Sequence, residues 1–120
     1  MTQSVVQQTL DALLEKHELL GLSVVRRDGI PSVGAYRRSI SDTTFAAMTA
    51  AMWGAAEAAF MEWTPGGPTQ GLLTSDEVGI ALCALDDENL LVAVAEGSHV
   101  AKLSAAVTAA ADALRSRIGG

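Results

Sequence analysis

The chain has 120 residues, a length that fits a single domain spanning 1–120 with its own hydrophobic core. Hydrophobic residues make up 49% of it, which excludes intrinsic disorder, and a formal net charge of −6 disfavours nucleic acids and anionic membranes as partners. The N-terminal segment lacks the basic start and continuous apolar core of a signal peptide, and the single cysteine, Cys83, excludes an internal disulfide. We therefore expect a cytoplasmic domain.

Hydrophobic periodicity and turn signals divide the chain into eight elements in the order α-β-β-α-β-β-β-α. We predict a helix over about residues 4–16, strands over about 22–25 and 31–36, a helix from about 42 to 62 or 63, strands over about 70–75, 78–85 and 90–95, and a helix after Ser98 that Gly119 and Gly120 end. The predicted N-caps are Ser4, Ser41 or Asp42, and Ser98. Between the first two strands, Asp28-Gly29 is a strong hairpin signal.

The last three predicted strands are joined by connections too short for a parallel crossover, so we expect antiparallel hairpins. Residues 80–85 and 91–95 are apolar at both alternating positions rather than at one. Strands of this kind lie in a sheet that is covered on both faces. The three predicted helices are enough to place one or two on each side.

The second helix is apolar around its whole circumference, whereas a helix with one buried face shows polar residues on the other. On a helical wheel its larger residues form one stripe, which we expect to cover the sheet: Phe45, Met48, Met52, Ala56, Ala59, Phe60 and Trp63. Small apolar residues and one methionine occupy the opposite side: Ala47, Ala50, Ala51, Gly54, Ala58 and Met61. Only Glu57 and Glu62 flank them.

A helix that is apolar all round is buried all round, and a monomer of this length has too little material to cover both sides. We therefore interpret all six residues of the small side as a dimer interface, because small residues such as Ala51 and Gly54 allow two helices to approach closely. The alternative is plain alanine enrichment, since alanine is the strongest helix former. The apolar stretch from Phe45 to Met61, about 17 residues long, is too short and too interrupted to span a membrane, which needs about 20 apolar residues.

The order of elements, together with three segments, resembles the roadblock family (roadblock/dynein light chain domains). Residues 21–31, Gly-Leu-Ser-Val-Val-Arg-Arg-Asp-Gly-Ile-Pro, are similar to the family's first hairpin with its pattern G-x-x-x-x-x-x-D-G. Residues 46–59, which contain Met52-Trp53-Gly54-Ala55-Ala56, resemble the family's central helix, and residues 90–95 before a long last helix resemble its final part. The resemblance covers nearly the whole chain and lies in the pattern, since none of these segments is a chemical motif.

The resemblance implies a five-stranded antiparallel sheet with the central helix on one face and the two terminal helices on the other. It also implies homo- or heterodimers in which the central helices pack together and third strands can join the two sheets. Roadblock domains are regulators or scaffolds of Ras-like GTPases, such as the activating protein of the bacterial gliding-motility GTPase and the lysosomal Ragulator subunits. Others are dynein light chains.

No group of residues has the spacing of a catalytic or metal site, so we expect no enzyme activity, no metal and no cofactor. His17 and His99 are the only histidines, and no Cys/His cluster with ligand spacing exists. Cys83 lies in an apolar strand and is expected to be a buried hydrophobe rather than a nucleophile. The glycine-rich segment 65–68 lacks the Lys-Ser or Lys-Thr of a phosphate-binding loop. We interpret 86–88, Asp-Asp-Glu, as a solvated hairpin turn rather than an acid–base or metal cluster.

Four of the eight basic residues form two arginine pairs at opposite ends of the predicted hairpin, Arg26-Arg27 and Arg37-Arg38. An arginine can complete a GTPase active site in trans, but ordinary solvated charge is the simpler interpretation. The resemblance weakens the first idea, because roadblock activators are understood to reposition the GTPase's own residues. Candidates for contact with a GTPase lie on the flanks of the second helix and the loop before it: Arg37, Arg38, Asp42, Glu57 and Glu62.

The sequence thus predicts a non-enzymatic homodimer that binds and modulates a Ras-like small GTPase. The alternative is a dimeric structural adaptor of the dynein light chain type, which tethers proteins without affecting nucleotide turnover. A third hypothesis, a small-ligand sensor of longin or profilin architecture, is disfavoured by the aromatic content of 4%.

Overall fold

The computed structural model describes residues 3–118. Its elements are α1 (Gln3–Lys16), β1 (Gly21–Arg26), β2 (Pro31–Tyr36), α2 (Asp42–Met61), β3 (Gly71–Thr74), β4 (Val78–Ala84), β5 (Asn89–Glu96), a 3₁₀ helix (Gly97–Lys102) and α3 (Leu103–Ile118). All five strands join one antiparallel sheet in the order β2-β1-β5-β4-β3. The predicted order of elements and the five-stranded antiparallel sheet are confirmed. The predicted stop at Gly119 and Gly120 lies outside the described residues.

Helices cover both faces of the sheet, as the apolar character of β4 and β5 predicted. On one face α1 and α3 pack around residues such as Leu91 and Leu114. On the other face α2 packs against residues such as Leu82 and Val92. The two cores are unequal, with twenty buried residues of the described chain in the first and six in the second. The α2 face is therefore the thinly covered side of the molecule. None of the helices formed by residues 3–118 has the length and apolar content to cross a membrane.

The N-terminal ends of α1 and α2 differ in how well the sequence predicted them. The Ser41 side chain accepts a hydrogen bond from the Thr44 backbone N–H at 3.3 Å, so Ser41 is the N-cap of α2. Ser4 is not an N-cap, because the helix is already formed at Gln3.

The start of the last helix also differs from the prediction. Ser98 lies within the 3₁₀ helix, whose N-cap is Glu96, and the α-helix begins only at Leu103. Close packing explains the difference: a Cβ atom added to Gly79 in β4 would lie 2.5 Å from Cγ2 of Val100. The segment after β5 is thus held tightly against the sheet before it can wind into α3.

The β1–β2 hairpin turns at Asp28 and Gly29, as predicted. Gly29 has a φ of 88°, in the left-handed region that favours glycine. The tip of the hairpin also reaches α2, since a Cβ atom added to Gly29 would lie 3.4 Å from Cα of Ala47 and 3.8 Å from Cβ of Ala50. The hairpin therefore covers one flank of α2.

The face that α2 turns to the sheet is not the predicted one. Its buried residues are Ala46, Thr49 and Trp53, whereas Met48 and Trp63 of the expected stripe are 54% and 90% exposed. Of the other stripe members, Phe45, Met52 and Ala56 are half-buried, and Ala59 and Phe60 are exposed. The small Ala46 and Thr49 let the helix backbone approach the sheet, and the large Trp53 side chain fills the space beside them.

Thr49 supplies a test of this packing. Its side chain is fully buried, and its hydroxyl has no hydrogen-bond partner among residues 3–118. A buried polar group without a partner costs about 1–3 kcal/mol of desolvation free energy. We expect Thr49→Val to leave the free energy of unfolding unchanged or raise it by about 1 kcal/mol, because only the hydroxyl is replaced. Urea denaturation measures the effect, and a clear loss of stability would show that the hydroxyl is bonded.

Candidate protein-binding surface

The outward side of α2 and its C-cap is exposed from end to end and apolar in its middle part. Its residues follow one another at alternating steps of four and three positions: Thr44, Met48, Ala51, Ala55, Ala58 and Glu62. We name this row the outer stripe, and all six of its members are exposed. Alternating steps of four and three are the spacing at which one helix pairs with another. The outer stripe therefore has the pattern of a surface that a helical partner covers.

Beside the N-terminal half of α2 the sheet is left uncovered, which opens a groove of about 390 Å³. The rings of Tyr36 and Phe45 border it and meet edge to face, with centroids 6.3 Å apart. We name it the apolar groove, and its lining residues are Leu20, Gly21, Tyr36, Arg38, Ile40, Ser41, Thr44, Phe45, Met48, Val78, Ile80 and Val94. A concave apolar site of this size, with few polar groups, can accept a large side chain.

A hydrogen bond fixes the wall of the groove. The Tyr36 hydroxyl donates to Oδ1 of Asp42 at 2.8 Å, which ties the end of β2 to the start of α2. Burial, together with the hydrogen bond and charge of Asp42, raises the pKa of Tyr36 to about 12 against an opposing hydrogen bond from Ser23. The phenol therefore stays protonated at neutral pH, and Asp42 is engaged within its own chain.

The arginine pairs do not form one positive patch. Arg26 lies 2.6 Å from Asp28 in the hairpin turn, and Arg27 lies 3.0 Å from Glu57 on the flank of α2. The Arg26–Asp28 pair is exposed and contributes little to stability, whereas the Arg27–Glu57 pair is partly buried. Glu57, a predicted contact residue, is thus paired with its own hairpin.

Arg37 and Arg38 lie on opposite sides of the sheet. Arg37 donates to the Leu19 carbonyl at 2.7 Å and lies 3.1 Å from Glu15, both on the α1 side. Arg38 instead lines the apolar groove on the α2 side and has no ion pair within residues 3–118. The two arginines therefore cannot act together at one surface, and only Arg38 borders α2.

The six residues of the predicted dimer interface do not share one accessible surface. Ala51, Gly54, Ala58 and Met61 are exposed, and a Cβ atom added to Gly54 would meet nothing within 4 Å. Ala47 and Ala50 are half-buried, because the hairpin tip lies against them. Glu62, the last predicted GTPase contact, is exposed at the C-cap of α2.

Sequence reasoning missed three residues of this surface, Met48, Ala55 and Trp63. Trp63 follows α2 directly, and its backbone N–H donates to the Phe60 carbonyl at 2.9 Å while its side chain projects into solvent. The signal that could have found Met48 and Ala55 was the spacing of four and three from Thr44 onward, rather than the size of the side chains.

Known structures share this arrangement of elements. Myxococcus xanthus MglB is similar with a TM-score of 0.86 at 15% identity, covering 95% of this chain and 94% of that chain. A roadblock/LC7 domain from Streptomyces avermitilis is similar with a TM-score of 0.82 at 14% identity, covering 95% and 98%. The fold is that of the roadblock/LC7 domain.

The roadblock fold is shared more loosely with proteins of another kind. Profilin from Schizosaccharomyces pombe is similar with a TM-score of 0.67 at 16% identity, covering 93% of this chain and 97% of that chain. No family model matches the sequence, and no curated protein matches it either. At these identities the likeness establishes the fold and not the function.

The roadblock sheet also ends in an exposed apolar edge. Leu72 and Leu73 of β3 are both exposed, and within residues 3–118 the strand β3 pairs only with β4. An edge strand offers unpaired backbone groups to another strand. The β3 edge and the outer stripe of α2 are therefore two unsatisfied apolar surfaces of one domain.

The candidate chemical groups lie apart from this surface. Cys83 is buried, and burial raises the pKa of its thiol, as expected of a hydrophobic core residue. At the β4–β5 turn, burial alone would raise the pKa of Asp86, but hydrogen bonds from Glu88 and Asn89 lower it. Asp86 thus closes the hairpin turn, as predicted. Among residues 3–118, no three acidic, histidine or cysteine side chains are placed to hold a metal ion.

His17 and His99 both border a groove between the end of α1 and the start of α3, together with Lys16 and Lys102. Burial, and then the charge of Lys16, lowers the pKa of His17. Its Nε2 atom is buried and has no partner in the described part of the chain. The folded state therefore favours the neutral form of this imidazole.

This preference predicts a loss of stability on acidification. The unfolded chain takes up a proton at His17 near the ordinary value of 6.5, whereas the folded chain takes it up only at lower pH. The free energy of unfolding should be highest above this value and fall as the pH drops towards the lower folded pKa. Urea denaturation from about pH 7 to about pH 5.5 measures the slope. The slope should be shallower in His17→Gln, and an unchanged slope would assign it to other groups.

Proposed function

We propose that this chain is a homodimeric regulator or scaffold that binds a Ras-like small GTPase and has no catalytic site of its own. The observation that carries the proposal is the outer stripe, a helix side that is exposed along its whole length and apolar from Met48 to Ala58. Exposed apolar surfaces of this extent mark sites of protein association. A second copy of the chain is a suitable partner, because it has the same exposed outer stripe and each copy can cover that of the other.

The dimer is supported by two exposed features, the outer stripe and the β3 edge. Ala51, Ala55 and Ala58 give the outer stripe a low profile, which lets two helix backbones approach closely. The exposed β3 edge can extend the sheet into a second copy. In a dimer with a twofold axis each contact is made twice. The outer stripe and the β3 edge would then be covered in both copies.

The GTPase is supported by the roadblock fold and by the charges around α2. The sequence resemblance implies a Ras-like partner for domains of this kind. Asp42 and Glu57, two of the predicted contact residues, lie at the borders of the proposed interface, where charge mainly affects association rate and specificity. Arg38 and Glu62 can instead contribute to the dimer contact.

Binding kinetics with purified small GTPases of the same organism test this proposal. The dimer is presented to each GTPase in its GTP-loaded and GDP-loaded forms, and hydrolysis is followed with and without the dimer. We expect binding that depends on the nucleotide and an association rate that falls with ionic strength. A folded dimer that binds no GTPase in either state would favour the structural adaptor of the dynein light chain type.

A further inference from the structure

We infer that each copy of the dimer inserts Trp63 into the apolar groove of the other copy, and that Glu62 of one copy pairs with Arg38 of the other. This inference rests on the proposed homodimer and makes its contacts specific. It joins three features that a single chain leaves unused: an exposed tryptophan, an open groove and two unpaired charges.

Trp63 is the projecting part of the contact. It is the most exposed of the large hydrophobic residues that the structure describes, and the exposed Phe60 and Met61 lie three and two residues before it. A tryptophan side chain can bury about 150–250 Å² on association, which makes exposure of this residue costly. Tryptophan is also enriched among the residues that dominate binding energy. A tryptophan exposed in this way indicates that a pocket buries it in the assembled protein.

The pocket that buries Trp63 cannot belong to the same copy. The apolar groove is bordered by residues 40–48 at the N-terminal end of α2, whereas Trp63 follows the C-terminal end of the same helix. A helix of 20 residues is about 30 Å long, so the two features lie at opposite ends of a rigid rod. The groove of about 390 Å³ is large enough for an indole ring, and its border is aromatic and aliphatic.

Antiparallel pairing of the two outer stripes brings the two features together. The spacing of the outer stripe is the same in both directions along the helix. In an antiparallel pair, Ala51 therefore lies opposite Ala55 of the partner subunit, Met48 opposite Ala58 of the partner subunit, and Thr44 opposite Glu62 of the partner subunit. The smallest residues thus lie at the crossing point, where the helices are closest. Trp63 of the partner subunit then lies beside Thr44, which lines the groove. By symmetry the same insertion is made twice.

The charges of the two surfaces are complementary in this arrangement. Arg38 lines the groove without an ion pair in residues 3–118, while Arg26, Arg27, Arg37 and Arg115 each have one. Glu62 is exposed at the C-cap of α2 and also makes no ion pair among these residues. Pairing places Glu62 of the partner subunit opposite Thr44, which lines the groove together with Arg38. Each copy thus offers an unpaired arginine where the other brings an unpaired carboxylate.

The decisive measurement is the dimer dissociation constant, by sedimentation equilibrium, for matched truncations. Trp63→Ala should raise Kd by about 100-fold or more, because a buried tryptophan anchor is lost twice per dimer. Met61→Ala removes an exposed apolar side chain that the helical wheel turns away from the outer stripe, and should change Kd by less than about threefold. In a Trp53→Phe background, Trp63 emission should shift to shorter wavelength when the protein is concentrated from monomer to dimer.

A charge exchange tests the second contact. Arg38→Glu and Glu62→Arg should each weaken the dimer by about tenfold, and the double variant should restore Kd to within about threefold of the original. A wild-type chain that stays monomeric would overturn the homodimer and this inference together. A wild-type dimer whose Kd and Trp63 emission are insensitive to these changes would overturn only the inference, and the proposed dimer would stand.

Discussion

Ala58→Arg is expected to convert the proposed dimer into a folded monomer. Ala58 lies on the outer stripe, where the twofold arrangement buries it against the second copy. An arginine there places two unpaired charges in an apolar contact, each at a cost of about 3–5 kcal/mol. We expect Kd to rise by about 1000-fold or more, as measured by sedimentation velocity at micromolar concentration.

Ala109→Arg is the matched control for this change. Ala109 is also an exposed helical alanine, but it lies on α3, on the opposite face of the sheet. The control should keep the helical circular dichroism spectrum and the dimer. If Ala58→Arg also sediments as a dimer, association proceeds through another surface, with the β3 edge as the first candidate.

Trp53→Ala should cause the largest loss of stability of any single truncation in the α2 layer. Trp53 is 3% exposed and is the largest member of a core that has only six buried residues in the described part of the chain. Truncation of a buried tryptophan typically lowers the free energy of unfolding by about 3–5 kcal/mol, out of a total of about 5–15 kcal/mol. Urea denaturation in the monomeric Ala58→Arg background isolates this loss from dissociation of the dimer.

Trp53→Phe separates packing from polarity at the same position. The Nε1 atom of Trp53 is buried and has no partner in residues 3–118, so the phenylalanine removes an unsatisfied donor while keeping an aromatic ring. We expect Trp53→Phe to lower the free energy of unfolding by about 1 kcal/mol, well below the loss in the alanine variant. Equal losses for the two variants would mean that the indole nitrogen is bonded and that packing is not the dominant contribution.

Local signals were sufficient to predict the elements and their order. Asp28-Gly29 marks the first hairpin, Pro31 begins β2, and the segment 64–68 ends α2, because proline and glycine restrict or release the backbone at those positions. The two-sided apolar pattern of β4 and β5 likewise predicted helices on both faces. These signals depend on residues only a few positions apart, so they can be interpreted without knowledge of the fold.

The orientation of α2 could not be predicted in the same way. A helix that is apolar on every side has no polar face to identify its solvent side. The orientation is decided by distant residues: the hairpin tip at Gly29 lies against Ala47, and the sheet surface receives Ala46 and Thr49. Size was a poor guide, since small residues allow closer packing than large ones.

The separation of Arg37 and Arg38 was within reach of the sequence. Successive residues of an extended strand point to opposite faces, and both residues follow directly on β2. The sequence also contained the spacing of the outer stripe. The apolar groove, in contrast, depends on where α2 crosses the sheet, and no local pattern encodes that position.

The strand order has a consequence for how the chain folds. The central strand of the sheet is β5, and its partners on β1 are distant in sequence, since residues such as Gly21 and Val94 lie roughly 70 positions apart. The β1–β2 hairpin can form as a local unit, but its inner edge stays open until β5 arrives. Contacts of such long range slow folding, and an open apolar edge favours misassociation in the meantime. We therefore expect refolding to be limited by the closure of β5 onto β1, and to lose yield as the protein concentration rises.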